Sequence, residues 1–219
     1  MTRQRIAVID YGMGNLRSVG KALEHVAGAD SEVVVSGDRD VIAAAERVVF
    51  PGQGAIRDCM AALRSHGLAG TLVAVIAERR PLLGICIGLQ ALLESSEEHR
   101  ETAGLALVAG DVRRFPADMH DARTGERLKV PHMGWNQVRF TRPHPLLDGI
   151  DDGTHFYFVH SYYAVAADPR LAIGRTEYGI EFTSAIAREN VFAVQFHPEK
   201  SAAAGLRLLR NFVAWDGRE

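Results

Sequence analysis

The first half of the chain alternates two hydrophobic rhythms. Residues 6–10 form a short apolar run that ends in a turn containing Gly12 and Gly14, after which Leu16, Val19, Leu23 and Val26 recur at helical spacing. Residues 32–35 read as a second strand and residues 41–45 as a short helix. Residues 47–50 read as a third strand, ending in Pro51-Gly52-Gln53-Gly54. A helix through Ile56, Met60 and Leu63 follows, and residues 81–85 make a fourth strand that runs into Cys86. Strands separated by helices imply parallel crossovers and a doubly wound, mostly parallel sheet with helices on both faces. Ligand chemistry in such sheets sits at the carboxyl ends of the strands, where the turns after Phe50 and Ile85 fall.

The rhythm changes after residue 105, where strand-like runs outnumber helical ones: residues 106–112, 137–140, 155–165, 171–176 and 182–188. Short turns such as Tyr178-Gly179 separate some of them, so a smaller antiparallel sheet is expected from the C-terminal half. Residues 191–196 read as a buried strand, and residues 202–213 as a closing helix with Leu206, Leu209 and Val213 on one face. Residues 118–127 are polar, carry a Thr-Gly turn and read as an exposed loop. With no repeat, low-complexity tract or linker, residues 1–219 are expected to form a single domain.

Composition narrows the setting. The 219 residues carry a formal net charge of -2, which points away from nucleic acid and acidic membrane surfaces. The opening residues lack the apolar stretch and cleavage site of a signal peptide, and no segment approaches a membrane span. Two cysteines, Cys59 and Cys86, supply neither a disulfide framework nor a zinc set. A reduced cytoplasmic compartment is therefore expected, where a free thiol survives.

The candidate chemistry centres on Cys86. In Gly84-Ile85-Cys86-Ile87-Gly88 an apolar strand ends, a cysteine follows between two near glycines, and a helical pattern starts at once. That is the G-x-nucleophile-x-G elbow, which lifts a reactive side chain out of a sheet; the glycines are expected to serve a turn too tight for Cβ atoms. A thiol nucleophile needs a base, and the base an orienter. His197-Pro198-Glu199 supplies both if the chain stays extended past Phe196, since alternate side chains then share a face and proline disfavours helix in the residue before it. Donors for an oxyanion would come from the Ile87 N–H and from the turn at Gln53 and Gly54. Cys59, among Ala55, Ile56, Met60 and Leu63, reads as helix packing. Asp10-Tyr11-Gly12-Met13-Gly14-Asn15 suggests a dinucleotide loop, but Arg17 stands at the third glycine position and the motif fails. No cofactor and no metal is expected.

These motifs resemble the class I (triad-type) glutamine amidotransferases, a family with a flavodoxin-like α/β fold. Gly84 to Gln90 matches their nucleophile elbow, and Phe196-His197-Pro198-Glu199 their base and orienter. Within the family the chain is most similar to the glutaminase subunits of imidazole glycerol phosphate synthase, in the segments at residues 10–18, 51–55, 129–136, 158–162 and 197–201. The resemblance implies that Cys86, His197 and Glu199 form a triad that hydrolyses L-glutamine through a γ-glutamyl thioester. By position, Gly52, Gln90, Ser161 and Tyr162 match residues that hold the glutamine. Ammonia would pass to a separate (β/α)₈ cyclase subunit in a heterodimer for histidine biosynthesis, with Asn15, Gln53 and Trp135 near that partner. Departures from the family pattern are Gln53 in place of a small apolar residue, Ile87 in place of leucine, Ala202 in place of glutamine, and a longer connection at residues 118–127. Competing readings are a glutaminase serving anthranilate, carbamoyl phosphate or guanylate synthesis, and a noncatalytic flavodoxin-like thiol sensor. The second leaves His197 and Glu199 without a purpose.

Overall fold

The runs rich in Val and Ile become the central strands of a computed structural model that describes residues 3–99 and 101–218. In chain order the elements are β1 (Gln4–Ile9), α1 (Leu16–Ala27), β2 (Ser31–Ser36), α2 (Arg39–Ala43), β3 (Arg47–Gly52), α3 (Ile56–Ser65), α4 (Leu68–Ala77), β4 (Leu82–Cys86) and α5 (Ile87–Ala91). The second half adds β5 (Ser95–Ser96), β6 (Thr102–Ala103), β7 (Gly110–Arg114), β8 (His132–Phe140), β9 (Thr154–His160), β10 (Tyr162–Ala166), β11 (Ala172–Glu177), β12 (Glu181–Arg188), β13 (Val191–Val194) and α6 (Ala202–Ala214).

The strands β2-β1-β3-β4-β13 are parallel neighbours in that order. Strands β3, β4 and β13 are buried along their whole length, as expected for strands covered on both faces. Right-handed crossovers place α1 on one face and α2, α3 and α4 on the other, because the chain moves in opposite directions along the sheet before and after β2. Helix α6 packs beside α1. The antiparallel half is joined to this core through β12. Residues 185–188 of β12 pair with β13, Thr183 pairs with β10 on the same side, and the other side carries β11. From β11 the sheet continues to β8 and β9, and from β10 to β7, β5 and β6.

Several boundaries differ from the sequence reading. Helix α4 went unread because Leu-Ala-Gly-Thr-Leu-Val-Ala-Val-Ile-Ala is apolar almost throughout and has no clear period. The run at 106–112 starts as a strand only at Gly110, since Ala106 has a φ of 53 that no strand accommodates. The run at 155–165 breaks at Ser161 into β9 and β10. Strand β8 is longer than read and begins at His132. In α6 the buried face is Gly205, Leu208, Leu209 and Phe212, so Leu206 and Val213 lie on its flanks. The 118–127 segment is a mostly exposed loop, closed by a bridge between His120 and Arg127.

Candidate active site

Three turns distant in sequence meet because of strand order. β4 and β13 run parallel in register, Ile85 beside Val194, so the chain leaves both at the same edge. On the other side of β4, Gly52 stands in register with Cys86. The nucleophile candidate, the base candidate and the glycine turn thus converge without any long side chain having to reach.

Cys86 itself carries the strain of the elbow. Its φ of 55 and ψ of -106 lie where a residue with a Cβ costs about 1–3 kcal/mol. The flanking glycines have no positive φ. They make room, as expected of a turn too tight for Cβ atoms. A Cβ on Gly88 would overlap the Phe50 carbonyl oxygen, and one on Gly84 would sit 3.0 Å from Ala193 Cβ. Helix α5 is little more than one turn, so Ile87 offers its N–H close to Cys86 with no intrahelical acceptor. Gly52 is buried and lies beneath the turn; a Cβ there would overlap the Tyr11 hydroxyl and lie 2.7 Å from Ile87 Cβ. That hydroxyl donates to the Pro51 carbonyl at 2.9 Å and fixes the start of the turn.

His197 is held by its backbone before its side chain acts. Its N–H donates to the Tyr157 carbonyl at 2.9 Å, and its carbonyl accepts from Ser201 Oγ at 2.7 Å. Ser201 Oγ in turn accepts from the Tyr157 N–H at 3.0 Å, closing a clamp. Glu199 does reach the imidazole, Nδ1 to Oε1 at 3.0 Å, but not by strand alternation. β13 stops at Val194, and Pro198–Lys200 is a 3₁₀ turn that folds the carboxylate under the ring. His197 alone stays extended, at φ -105 and ψ 96, as the following proline demands.

The two side chains are 3% and 1% exposed, and Glu199 Oε2 has no hydrogen-bond partner among the described residues. Burial opposes a charge on His197, but the neighbouring Cys86 sulfur and the hydrogen-bonded Glu199 carboxylate together outweigh burial and hold the imidazole above its ordinary pKa. His197 Nε2 makes no well-formed hydrogen bond, and the sulfur of Cys86 is the group beside it. Loose geometry of this kind is usual for a nucleophile and base without substrate.

Cys86, Ile87, Gln53, Gly54 and His197 line one cleft of about 650 Å³, together with Gln90, Ser161 and Tyr162. The break between β9 and β10 aims Ser161 and Tyr162 at it. Both hydrogens of Gln90 Nε2 are donated to protein, to the Tyr162 carbonyl at 3.0 Å and Gln195 Oε1 at 2.9 Å, so Gln90 can only accept from a ligand. Asn15 is half-buried just after Met13 and Gly14, which line the mouth. Trp135 is 53% exposed and Met133, on the same strand, 61%. Trp135 packs edge-on to Tyr157, over which Lys200 lies at the cleft's rim. Sequence reading missed Glu98, whose carboxylate lines the cleft while accepting the Ile56 N–H at 2.7 Å. An isolated glutamate in a charged stretch carries no signal that would have found it.

Residues 7–215 match the model of the family described as glutamine amidotransferase class-I. Imidazole glycerol phosphate synthase subunit HisH of Dechloromonas aromatica is 60% identical, over 97% of this chain and 97% of that one. The subunit of the same name from Methylococcus capsulatus is 57% identical, over 96% of each. Among solved structures, PurLQS from Thermotoga maritima superposes with a TM-score of 0.70 at 16% identity, covering 98% of this chain and 99% of that one. The glutaminase domain of CTPS from Trypanosoma brucei gives 0.66 at 16%, covering 98% and 97%. The structural likenesses speak for the fold alone. With the family model spanning nearly every element and the relatives matching from end to end, the chain belongs to the class I glutamine amidotransferases.

Proposed function

We propose that this chain is the glutaminase subunit of an imidazole glycerol phosphate synthase, hydrolysing L-glutamine and handing the ammonia to a cyclase subunit in histidine biosynthesis. The observation that carries the chemistry is the meeting of Cys86, on its strained elbow, with the buried His197–Glu199 pair at one cleft. The end-to-end likeness to synthase subunits carries the choice of pathway over anthranilate, carbamoyl phosphate or guanylate synthesis.

His197, held toward its protonated form, takes the proton of Cys86, and the sulfur attacks the side-chain amide carbon of glutamine. The oxyanion is held by the Ile87 N–H and the Gln53–Gly54 turn. His197 returns the proton to the leaving nitrogen, ammonia departs, and a γ-glutamyl thioester remains. Water, deprotonated by His197, then releases glutamate. Glu199 keeps Nδ1 protonated and supports the imidazolium throughout. Gln90, limited to accepting, suits an N–H of the substrate, and the Glu98 carboxylate suits its α-ammonium group. Ser161 and Tyr162 complete the glutamine pocket.

The partner in this reading is a separate (β/α)₈ cyclase docked over the cleft mouth, against Asn15, Gln53 and the exposed Trp135 and Met133. Large apolar side chains exposed beside a catalytic cleft favour such an interface. Residues 1–219 act as one domain, supported by a buried core shared between the parallel and antiparallel halves. Among the described residues no single helix is long and apolar enough to cross a membrane, and the bent pair α3 and α4 sends Cys59, Met60, Leu63, Leu72 and Val75 into the core. This accords with a cytoplasmic enzyme. The test is co-purification with the cyclase and assay of glutamate release. Activity should be low for the isolated chain, rise strongly with the ligand-bound cyclase, and vanish in Cys86→Ala with the fold intact; undiminished release by that variant would rule the mechanism out.

A further inference from the structure

Gln195, between β13 and His197, is fully buried and has no part in the mechanism above. Its amide lies between Cys86 and Gln90. Nε2 donates to Cys86 Sγ across 3.6 Å, and Oε1 accepts from Gln90 Nε2 at 2.9 Å. An amide can be turned over without changing shape, so its partners decide which end faces the sulfur. Here they leave no choice. Gln90 Nε2 lies 3.0 Å from the Tyr162 carbonyl, which only accepts, so that end of Gln90 is the NH₂ group. An NH₂ facing Gln195 requires Oε1 there, and the NH₂ of Gln195 is thereby turned to the sulfur.

The same polarity extends beyond Tyr162. His160 Nδ1 lies 2.8 Å from that carbonyl and so carries the proton, leaving its Nε2 to accept from His132 Nδ1 at 2.9 Å. His132 Nε2 then accepts from Asn136 Nδ2 at 3.3 Å, whose other hydrogen goes to the Glu177 carbonyl at 2.9 Å. Every donor and acceptor between the two carbonyls is thus assigned. Burial keeps both imidazoles neutral, pushing His132 down to about 4, as this arrangement requires.

We infer that Gln195 is a positioning residue for the thiol step. Its N–H, turned toward Cys86 by Gln90 and the Tyr162 carbonyl that orients Gln90, donates to the sulfur and holds it as thiolate on the line of attack. The inference rests on Cys86 being the nucleophile. A hydrogen bond to a charged sulfur favours thiolate over thiol, and a thiol accepts it only weakly.

The experiment compares wild type with Gln195→Glu, which keeps the shape but replaces the donor with an acceptor, and with Gln195→Leu. Alkylation of Cys86 by iodoacetamide is followed by mass spectrometry from pH 5 to 10, and glutamine turnover is measured in the complex with the cyclase. Both variants should move the alkylation profile to higher pH and lower kcat by about 10- to 100-fold, the worth of one hydrogen bond to a charged group. A profile superimposable on wild type in either folded variant overturns the inference. On the wild-type protein, which needs no refolding control, the Gln195 side-chain NH₂ resonance should shift with the same midpoint as alkylation; indifference to that titration also overturns it. Full hydrolysis by Cys86→Ala would instead defeat the glutaminase reading. An inactive Cys86→Ala beside an unaltered Gln195→Glu would defeat only this inference.

Discussion

Cys59 and Cys86 are both free, both buried, and both electrostatically coupled to Tyr11, yet their surroundings suit them to opposite roles. Cys59 sits in α3 at 0% exposure, and burial pushes its thiol up to about 11. It presents no surface to a ligand. Cys86 is only slightly more exposed, at 4%, but that surface opens into a cleft, its backbone is strained outward, and a buried His–Glu pair stands beside it. Burial alone does not separate an inert thiol from a reactive one. Access, a neighbouring base and a donor to the sulfur do.

The largest expected contrast is between the two cysteines themselves. In the complex with the cyclase, Cys59→Ala should keep glutamine turnover within a few-fold of wild type. His197→Ala, which leaves Cys86 without its base, should lose on the order of 10⁴ in kcat. Comparable losses in Cys59→Ala and His197→Ala would erase the distinction.

The next effect tests whether the elbow depends on room or on backbone freedom. Gly88→Ala should push α5 away from the Phe50 carbonyl, displace the Ile87 N–H and cost about 100-fold in kcat with a lowered Tm. Gly70→Ala, in α4 with nothing near its Cβ, should instead stabilise by about 0.5–1 kcal/mol. Equal behaviour of the two variants in thermal melts and assays would refute the close-approach argument.

The smallest effect lies in the pH dependence of stability. His132 and His144, each lowered by burial to about 4, stay neutral when folded while the unfolded chain protonates near 6.5. Their contribution is intact above 6.5 and is lost as pH falls from there to about 4. His197 has the opposite sign, since its folded pKa is raised: its contribution is intact below about 6.5 and declines as pH rises beyond. Because Cys86 helps to raise it, Cys86→Ala should flatten the decline in urea titrations between pH 6.5 and about 7.5, a range below the ordinary thiol pKa of about 8.5 where Cys59→Ala should leave the slope unchanged. Identical slopes in the two variants would show that the Cys86–His197 coupling is absent.

The alternation of strands and helices through residue 91 was legible because apolar runs and turn residues are local signals. So were the Cys86 elbow and the His197–Glu199 pair, although the pair is brought together by a 3₁₀ turn and not by an extended strand. Helix α4 escaped notice for want of periodicity, and the break at Ser161 because the apolar pattern runs straight across it. Glu98 was invisible for a different reason. Its meaning comes from the cleft wall that it joins, across 42 positions from its partner Ile56.

Local chemistry in the sequence thus singled out the candidates: a cysteine on a tight turn, a histidine before proline, a glutamate two positions on. Those choices depend on neighbours a few residues apart, whose geometry the backbone largely dictates. Only the folded sheet decided how they are oriented. The strand order β3-β4-β13 sets Gly52 and the segment after Val194 on either side of Cys86, and the Gln195 amide is turned by partners as distant as Gln90, 105 positions away. Hydrogen-bond polarity of that kind belongs to no segment of the chain, because a donor is assigned only when its acceptor is already in place.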